Sequence, residues 1–220
     1  QEKLFARQNT EQRAMYDKVA GIKETGYGTF DQNMNDFFGD QTEKYFKNAE
    51  KLIRLDFRFK KHIIEEVQSH FKEYLDQKPV CILVRDFNPE FDYPNCENNH
   101  INVSLEFYEK AIESLGKDRT YIVCSNSIDL CKKQKLFQGD NFIFNEVVPE
   151  EIYKGHFDLC LMSMCQDFIV SNSTFGWWGA WLGNGEGKRV ILPSPWYGPG
   201  LSHISVDDLY PDGWEKIEWK

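Results

Sequence analysis

Two short polar clusters in this sequence stand where chemistry on a phosphate could be done. The first, Ser171-Asn172-Ser173-Thr174, follows the apolar run Phe168-Ile169-Val170 and leads into Phe175-Gly176-Trp177-Trp178-Gly179-Ala180-Trp181. Hydroxyl residues at a junction of strand, turn and helix are good N-caps. A helix starting there aims unpaired N–H groups and the positive end of its dipole at the turn, which suits an anion. The second cluster is Arg85-Asp86, directly after the apolar Val80–Val84. An arginine at a strand end could bind a ligand, and a carboxylate beside it could serve as a base. Each has a plainer alternative. Ser173 and Thr174 could do no more than cap, Trp177, Trp178 and Trp181 could be core aromatics, and Arg85 could sit in a surface ion pair with Asp86 as its partner. Glu90 and Asp92, in the loop that follows, read as solvated surface carboxylates.

The elements that must hold these clusters are legible as a rhythm of strand and helix. Beyond Pro79 the pattern gives strands at Val80–Val84, Tyr121–Cys124, Asn141–Phe144, Phe168–Val170 and Val190–Leu192. Helices fall at Ser104–Leu115, Ile128–Phe137, Pro149–Cys165 and the aromatic segment after Ser173. Alternation of this kind predicts an α/β fold, a parallel sheet with helices on both faces. In such sheets ligands bind outside the carboxyl ends of the strands, where both polar clusters fall. Before Pro79 the chain reads as helical: a helix near Glu11–Ala20, a helical pattern from Thr42 through Phe57, and an amphipathic helix at Lys61–Leu75. The expected division is residues 1–76 as a helical segment and 77–220 as the sheet domain.

Composition narrows the function classes. The 220 residues are 41% hydrophobic and 28% charged, enough for a substantial core. A formal net charge of -9 opposes binding to nucleic acid or an anionic membrane, so a phosphate site has to be local. No apolar run approaches the roughly 20 residues of a membrane-spanning helix, and no charged-then-apolar signal segment opens the chain at Gln1. The six cysteines lie mostly within apolar runs without a C-x-x-C pair, which predicts reduced core thiols and a cytoplasmic setting. Asn102-Val103-Ser104 and Asn172-Ser173-Thr174 fit the glycosylation acceptor pattern and are read as coincidence.

Asn172-Ser173-Thr174-Phe175-Gly176-Trp177-Trp178-Gly179-Ala180-Trp181, preceded by Asp158–Val170 and followed by Lys188–Trp196, closely resembles the C-terminal signature of the family 11 glycosyltransferases, the α-1,2-fucosyltransferases. His100, Ser104, Tyr108 and Ala111 resemble a further segment of that family. So do residues 41–47 with Leu55-Asp56-Phe57, and the resemblance covers roughly residues 41 to 220. Where the family has His-x-Arg-Arg-Gly-Asp-Tyr, this chain has Leu83-Val84-Arg85-Asp86-Phe87: one arginine and the aspartate match, and the histidine, second arginine and glycine have no counterpart. The family's amino-terminal Gly-Gly-Leu-Gly-Asn-Gln-Met-Phe-Gln motif has no match. Ser125-Asn126-Ser127 stands where the family often has Ser-Asp-Asp, able to meet ribose or guanine or simply to turn the chain.

The resemblance implies a Rossmann-like GDP-sugar-binding domain of GT-B type, preceded by a helical remnant of, or linker to, an acceptor-side domain. It implies an inverting transfer of fucose from GDP-fucose to a glycan hydroxyl, needing no metal or further cofactor. No Asp-x-Asp metal element occurs in the sequence. The residues implicated are Arg85 and Asp86 in catalysis, and Arg85, Ser125, Asn172, Ser173, Thr174 and Phe175 in holding the donor. The alternative is a catalytically impaired relative of the same fold. Outside the family, a generic nucleotide-binding α/β module is the remaining option.

Overall fold

The computed structural model describes residue 43, residues 47–88, residues 90 and 92, and residues 96–219. The helix expected near Glu11–Ala20 lies outside the described residues. The chain divides into two compact units, Gln1–Arg58 and Phe59–Lys220. In the first, a 3-10 turn at Lys47–Ala49 runs into α1, Glu50–Asp56, which buries Ala49 and Ile53 and carries an Arg54–Glu50 ion pair one turn apart.

The second unit begins eighteen residues earlier than the expected boundary at 77. The amphipathic helix α2, Lys61–Leu75, is the reason. Its buried stripe of Ile63, Val67 and Phe71 seats against the sheet unit, with Phe71 and Phe157 ring centroids 6.3 Å apart. Then follow β1 (Val80–Val84), the short α3 (Cys96–Asn99), α4 (Leu105–Leu115), β2 (Tyr121–Ser125), α5 (Ile128–Lys132), β3 (Phe142–Phe144), α6 (Lys154–Ser163), β4 (Asp167–Val170), α7 (Thr174–Leu182), β5 (Val190–Ser194) and β6 (Glu215–Glu218).

All six strands are parallel, in the order β3-β2-β1-β4-β5-β6. This is the doubly wound, Rossmann-like arrangement expected from the alternation. Alternation along each strand gives the sheet two apolar faces. One carries Val80, Ile82, Tyr121, Val123, Ile169 and Ile191 against Phe107, Tyr108, Ala111 and Ile112 of α4. The other is covered by α7, beside α6. Here the close approach needs glycine: a Cβ on Gly176 would collide with the side chains of Leu83 and Val170, and one on Gly179 would lie 2.6 Å from Met162 Cε.

Three details depart from the sequence expectation. The strand β6 was not expected, because Glu-Lys-Ile-Glu is too polar to read as a strand; as the edge strand beside β5 it buries only alternate residues partway. Helix α6 starts at Lys154 rather than near Pro149, and the acidic stretch ahead of it, with the 74%-exposed Val148, runs over the surface instead. The polar helix expected over Ile128–Phe137 breaks into α5 and a 3-10 turn at Lys135–Phe137. All six cysteines are free and buried, as their apolar neighbours foretold. Among the described residues no helix is long and apolar enough to cross a membrane.

Candidate functional site

Crossovers leave β1 toward β2 and β4 toward β5, on opposite sides, so the carboxyl ends of these adjacent strands form the topological switch point of the sheet. Both polar clusters sit there and are bonded to each other. Ser171 N donates to Leu83 O at 3.1 Å, continuing the ladder, and the Ser171 hydroxyl accepts from the Arg85 N–H at 3.0 Å. Beyond Ser171 the chain turns into α7, whose N-cap is Ser173. Its Oγ accepts from Gly176 N at 3.3 Å and its carbonyl from Trp177 N at 2.9 Å. The cap is therefore real, and it places the N-terminal end of α7 at the switch point. Phe175 presents a ring that is 38% exposed at the same place.

Asn172 has a different place from a ligand contact. It is 2% exposed, and its Nδ2 donates to Ile101 O at 2.9 Å and Trp196 O at 3.1 Å, tying the loop after β1 to the loop after β5. That burial also removes it as a glycan acceptor. Ser125, at the end of β2, accepts from Ser127 N at 2.9 Å, which is the simple turn foreseen as one of its two readings.

Arg85 is held at three points. Its Nη1 donates to Asp86 O at 2.8 Å, its Nη2 pairs with Asp92, and its guanidinium lies 4.7 Å from the centre of the Phe87 ring. The ion-pair partner is thus Asp92 and not Asp86. The Asp92 side chain is only 16% exposed, and its second oxygen accepts from Asn88 N at 2.9 Å, which folds the loop into a closed turn around the guanidinium. A carboxylate read from sequence as solvated surface is the counter-ion of the site. Polar loop residues carry no periodicity from which this could have been found.

The Asp86 carboxylate is held by neutral donors: Ser127 Oγ at 2.7 Å on one oxygen and Asn102 Nδ2 at 3.2 Å on the other. Beside it, Phe87 stacks on His100 with centroids 5.0 Å apart, and His100 meets Tyr197 at 5.7 Å. Burial, helped by the Arg85 charge and opposed by Asp92, holds the His100 imidazole below its ordinary range, which favours the neutral ring. Beneath the crevice, burial drives the Tyr108 hydroxyl far above the usual phenol range, with the neighbouring Ser171 hydroxyl opposing, so this group stays protonated. His100 and Tyr108, singled out by resemblance, therefore line the region of the two clusters, while Ala111 is plain core.

Of the tryptophans, Trp177 is fully buried, donates through Nε1 to Leu209 O at 2.8 Å and packs on Trp214; Trp178 is half-buried and Trp181 buried. They are structural, as the plainer reading had it. Among the described residues no group of three or more His, Cys, Asp or Glu side chains could hold a metal ion.

A six-stranded parallel sheet of this order, with polar groups gathered at its switch point, defines a doubly wound, Rossmann-like fold. The chain belongs to glycosyl transferase family 11, whose sequence pattern it matches over residues 2–218, further toward the amino terminus than the resemblance from residue 41 had suggested. It is similar to the O-antigen biosynthesis glycosyltransferase WbnK of Escherichia coli, 31% identical over 118 residues, which is 52% of this chain and 38% of the relative. It is also similar to an α-1,2-colitosyltransferase of Escherichia coli, 30% identical over 126 residues, 56% of this chain and 40% of the relative. The matched segment thus spans about two-fifths of the length of these relatives. Among solved structures, POFUT1 in complex with GDP-fucose aligns with a TM-score of 0.45 at 15% identity, covering 66% of this chain and 50% of the other. A family 9 glycosyl transferase from Veillonella parvula DSM 2008 aligns at 0.44 and 11% identity, covering 74% and 42%.

Proposed function

We propose that this chain binds GDP-fucose at the switch point between β1 and β4 and transfers fucose, with inversion and without a metal ion, to a hydroxyl of a glycan acceptor. The observation that carries the reading is the Arg85 N–H to Ser171 Oγ bond of 3.0 Å, which brings the arginine element and the start of α7 into one crevice. The diphosphate would meet the Arg85 guanidinium and the positive end of the α7 dipole, with Ser173 holding the cap. The acceptor hydroxyl attacks the anomeric carbon, its proton passes to the Asp86 carboxylate, and the bond from the anomeric carbon to the diphosphate oxygen breaks with its electron pair going to GDP. The exposed Phe175 ring offers a face for the base or the sugar. An α-1,2 linkage is the one named for the Escherichia coli colitosyltransferase relative and is the linkage this reading takes. That relative is named for colitose, so the donors tested should include GDP-colitose beside GDP-fucose.

A second reading has its own observation. The Arg85 guanidinium is already paired with Asp92, and the second arginine of the family element is missing, so a chain that binds the nucleotide without turnover is the alternative. Calorimetric titration with GDP and the donor sugars, followed by release of free sugar, separates the readings. GDP binding with slow donor hydrolysis supports the transferase, and binding without hydrolysis supports the impaired relative. Absence of any preference for guanine nucleotides would sink both.

A further inference from the structure

Residues 86 and 87 have left the β1 ladder, yet their backbones remain fully paired. The Asn126 side-chain amide accepts from Asp86 N at 2.9 Å and donates to Asp86 O at 2.8 Å. The Asn102 amide does the same one residue on, accepting from Phe87 N at 2.7 Å and donating to Phe87 O at 3.2 Å. Two primary amides thus serve these residues as the peptide groups of a neighbouring strand would. They come from different elements, Asn126 from the end of β2 and Asn102 from just ahead of α4.

Both asparagines are exposed, so water could satisfy them, and their commitment to two consecutive backbone units is a constraint on where Asp86 lies. Asn102 Nδ2 reaches the Asp86 Oδ1 as well, and Ser127, next to Asn126, fixes Oδ2. A glycan on Asn102 Nδ2 would remove one of the two N–H donors used here.

We propose that Asn126 and Asn102 are positioning residues that clamp the Asp86–Phe87 backbone and thereby aim the Asp86 carboxylate into the crevice. The proposal rests on the reading of Asp86 as proton acceptor given above. A misplacement of about 1 Å in such a group can lower a rate by as much as roughly 100-fold without loosening ground-state binding.

The test uses Asn126→Ala and Asn102→Ala in the whole chain, with amide hydrogen exchange by NMR beside steady-state hydrolysis of GDP-fucose. Exchange should quicken at Asp86 in the first variant and at Phe87 in the second, while the amides of β1 and β2 keep their protection. Turnover should fall roughly 10- to 100-fold, with KM and GDP affinity within about twofold of the parent. Unchanged exchange at these two amides overturns the clamp. Quickened exchange with intact turnover overturns its positioning role, and so does a loss of protection spread across both strands. If the parent chain binds GDP but hydrolyses no donor, the functional reading fails separately, and exchange at the two amides still decides the clamp.

Discussion

The guanidinium of Arg85 and the carboxylate of Asp92 form an ion pair across the loop that follows β1, and Asp92 also accepts the Asn88 N–H. On the proposed function, a diphosphate in the crevice would share that guanidinium with a resident anion. Arg85→Ala is expected to weaken GDP binding by roughly 1.5–3 kcal/mol, the range for hydrogen bonds to charged groups. Asp92→Asn, which keeps the shape and removes the competing charge, is expected to tighten it by about 1 kcal/mol, with a gain that shrinks as salt is added. Calorimetry at two ionic strengths checks both. An unchanged dissociation constant for a folded Arg85→Ala variant would remove this residue from the site.

Asp86 sits among neutral donors, with the Arg85 charge engaged elsewhere. Asp86→Asn is therefore expected to lower turnover by about 100-fold or more while GDP affinity changes little. Parallel loss of affinity and rate would instead make the carboxylate part of donor binding. Full activity would remove Asp86 as the base.

The tryptophan pair should divide in its effects. Trp177 is buried and hydrogen-bonded to Leu209 O, so Trp177→Ala should cost about 3–5 kcal/mol of stability. Trp178, half-buried beside it, should cost less. Denaturant unfolding of the two variants gives the comparison, and equal losses would contradict the burial difference.

Donor hydrolysis is expected to survive EDTA, because the reading gives the neutralisation of the diphosphate to Arg85 and to the positive end of the α7 dipole. Activity lost on chelation and restored by manganese or magnesium would refute the metal-independent mechanism.

The sheet was legible because parallel strands buried on both faces are written as apolar runs. Val80–Val84 is such a run and β1 has those bounds. β6 is an edge strand that needs only Ile217 half-covered, so its sequence carries too little apolar signal. At the site, the position of Arg85, Asp86 and Ser173 at strand ends could be read from where apolar runs stop. Which polar partner each would choose could not. Asp92, Asn102 and Asn126 are polar residues in loops, and their pairing depends on distances between segments far apart in sequence, such as the 40 residues between Asp86 and Asn126.

Asn172 fastens Ile101 and Trp196 through a single nitrogen, and this bears on how the crevice can breathe. Neither loop can swing out alone without leaving a buried amide stranded, a cost of about 1–3 kcal/mol. Opening of the segments at Ile101 and Trp196 is therefore expected to be correlated. Relaxation dispersion on backbone amides near residues 101 and 196 should return a common exchange constant, and Asn172→Ala should split it into two.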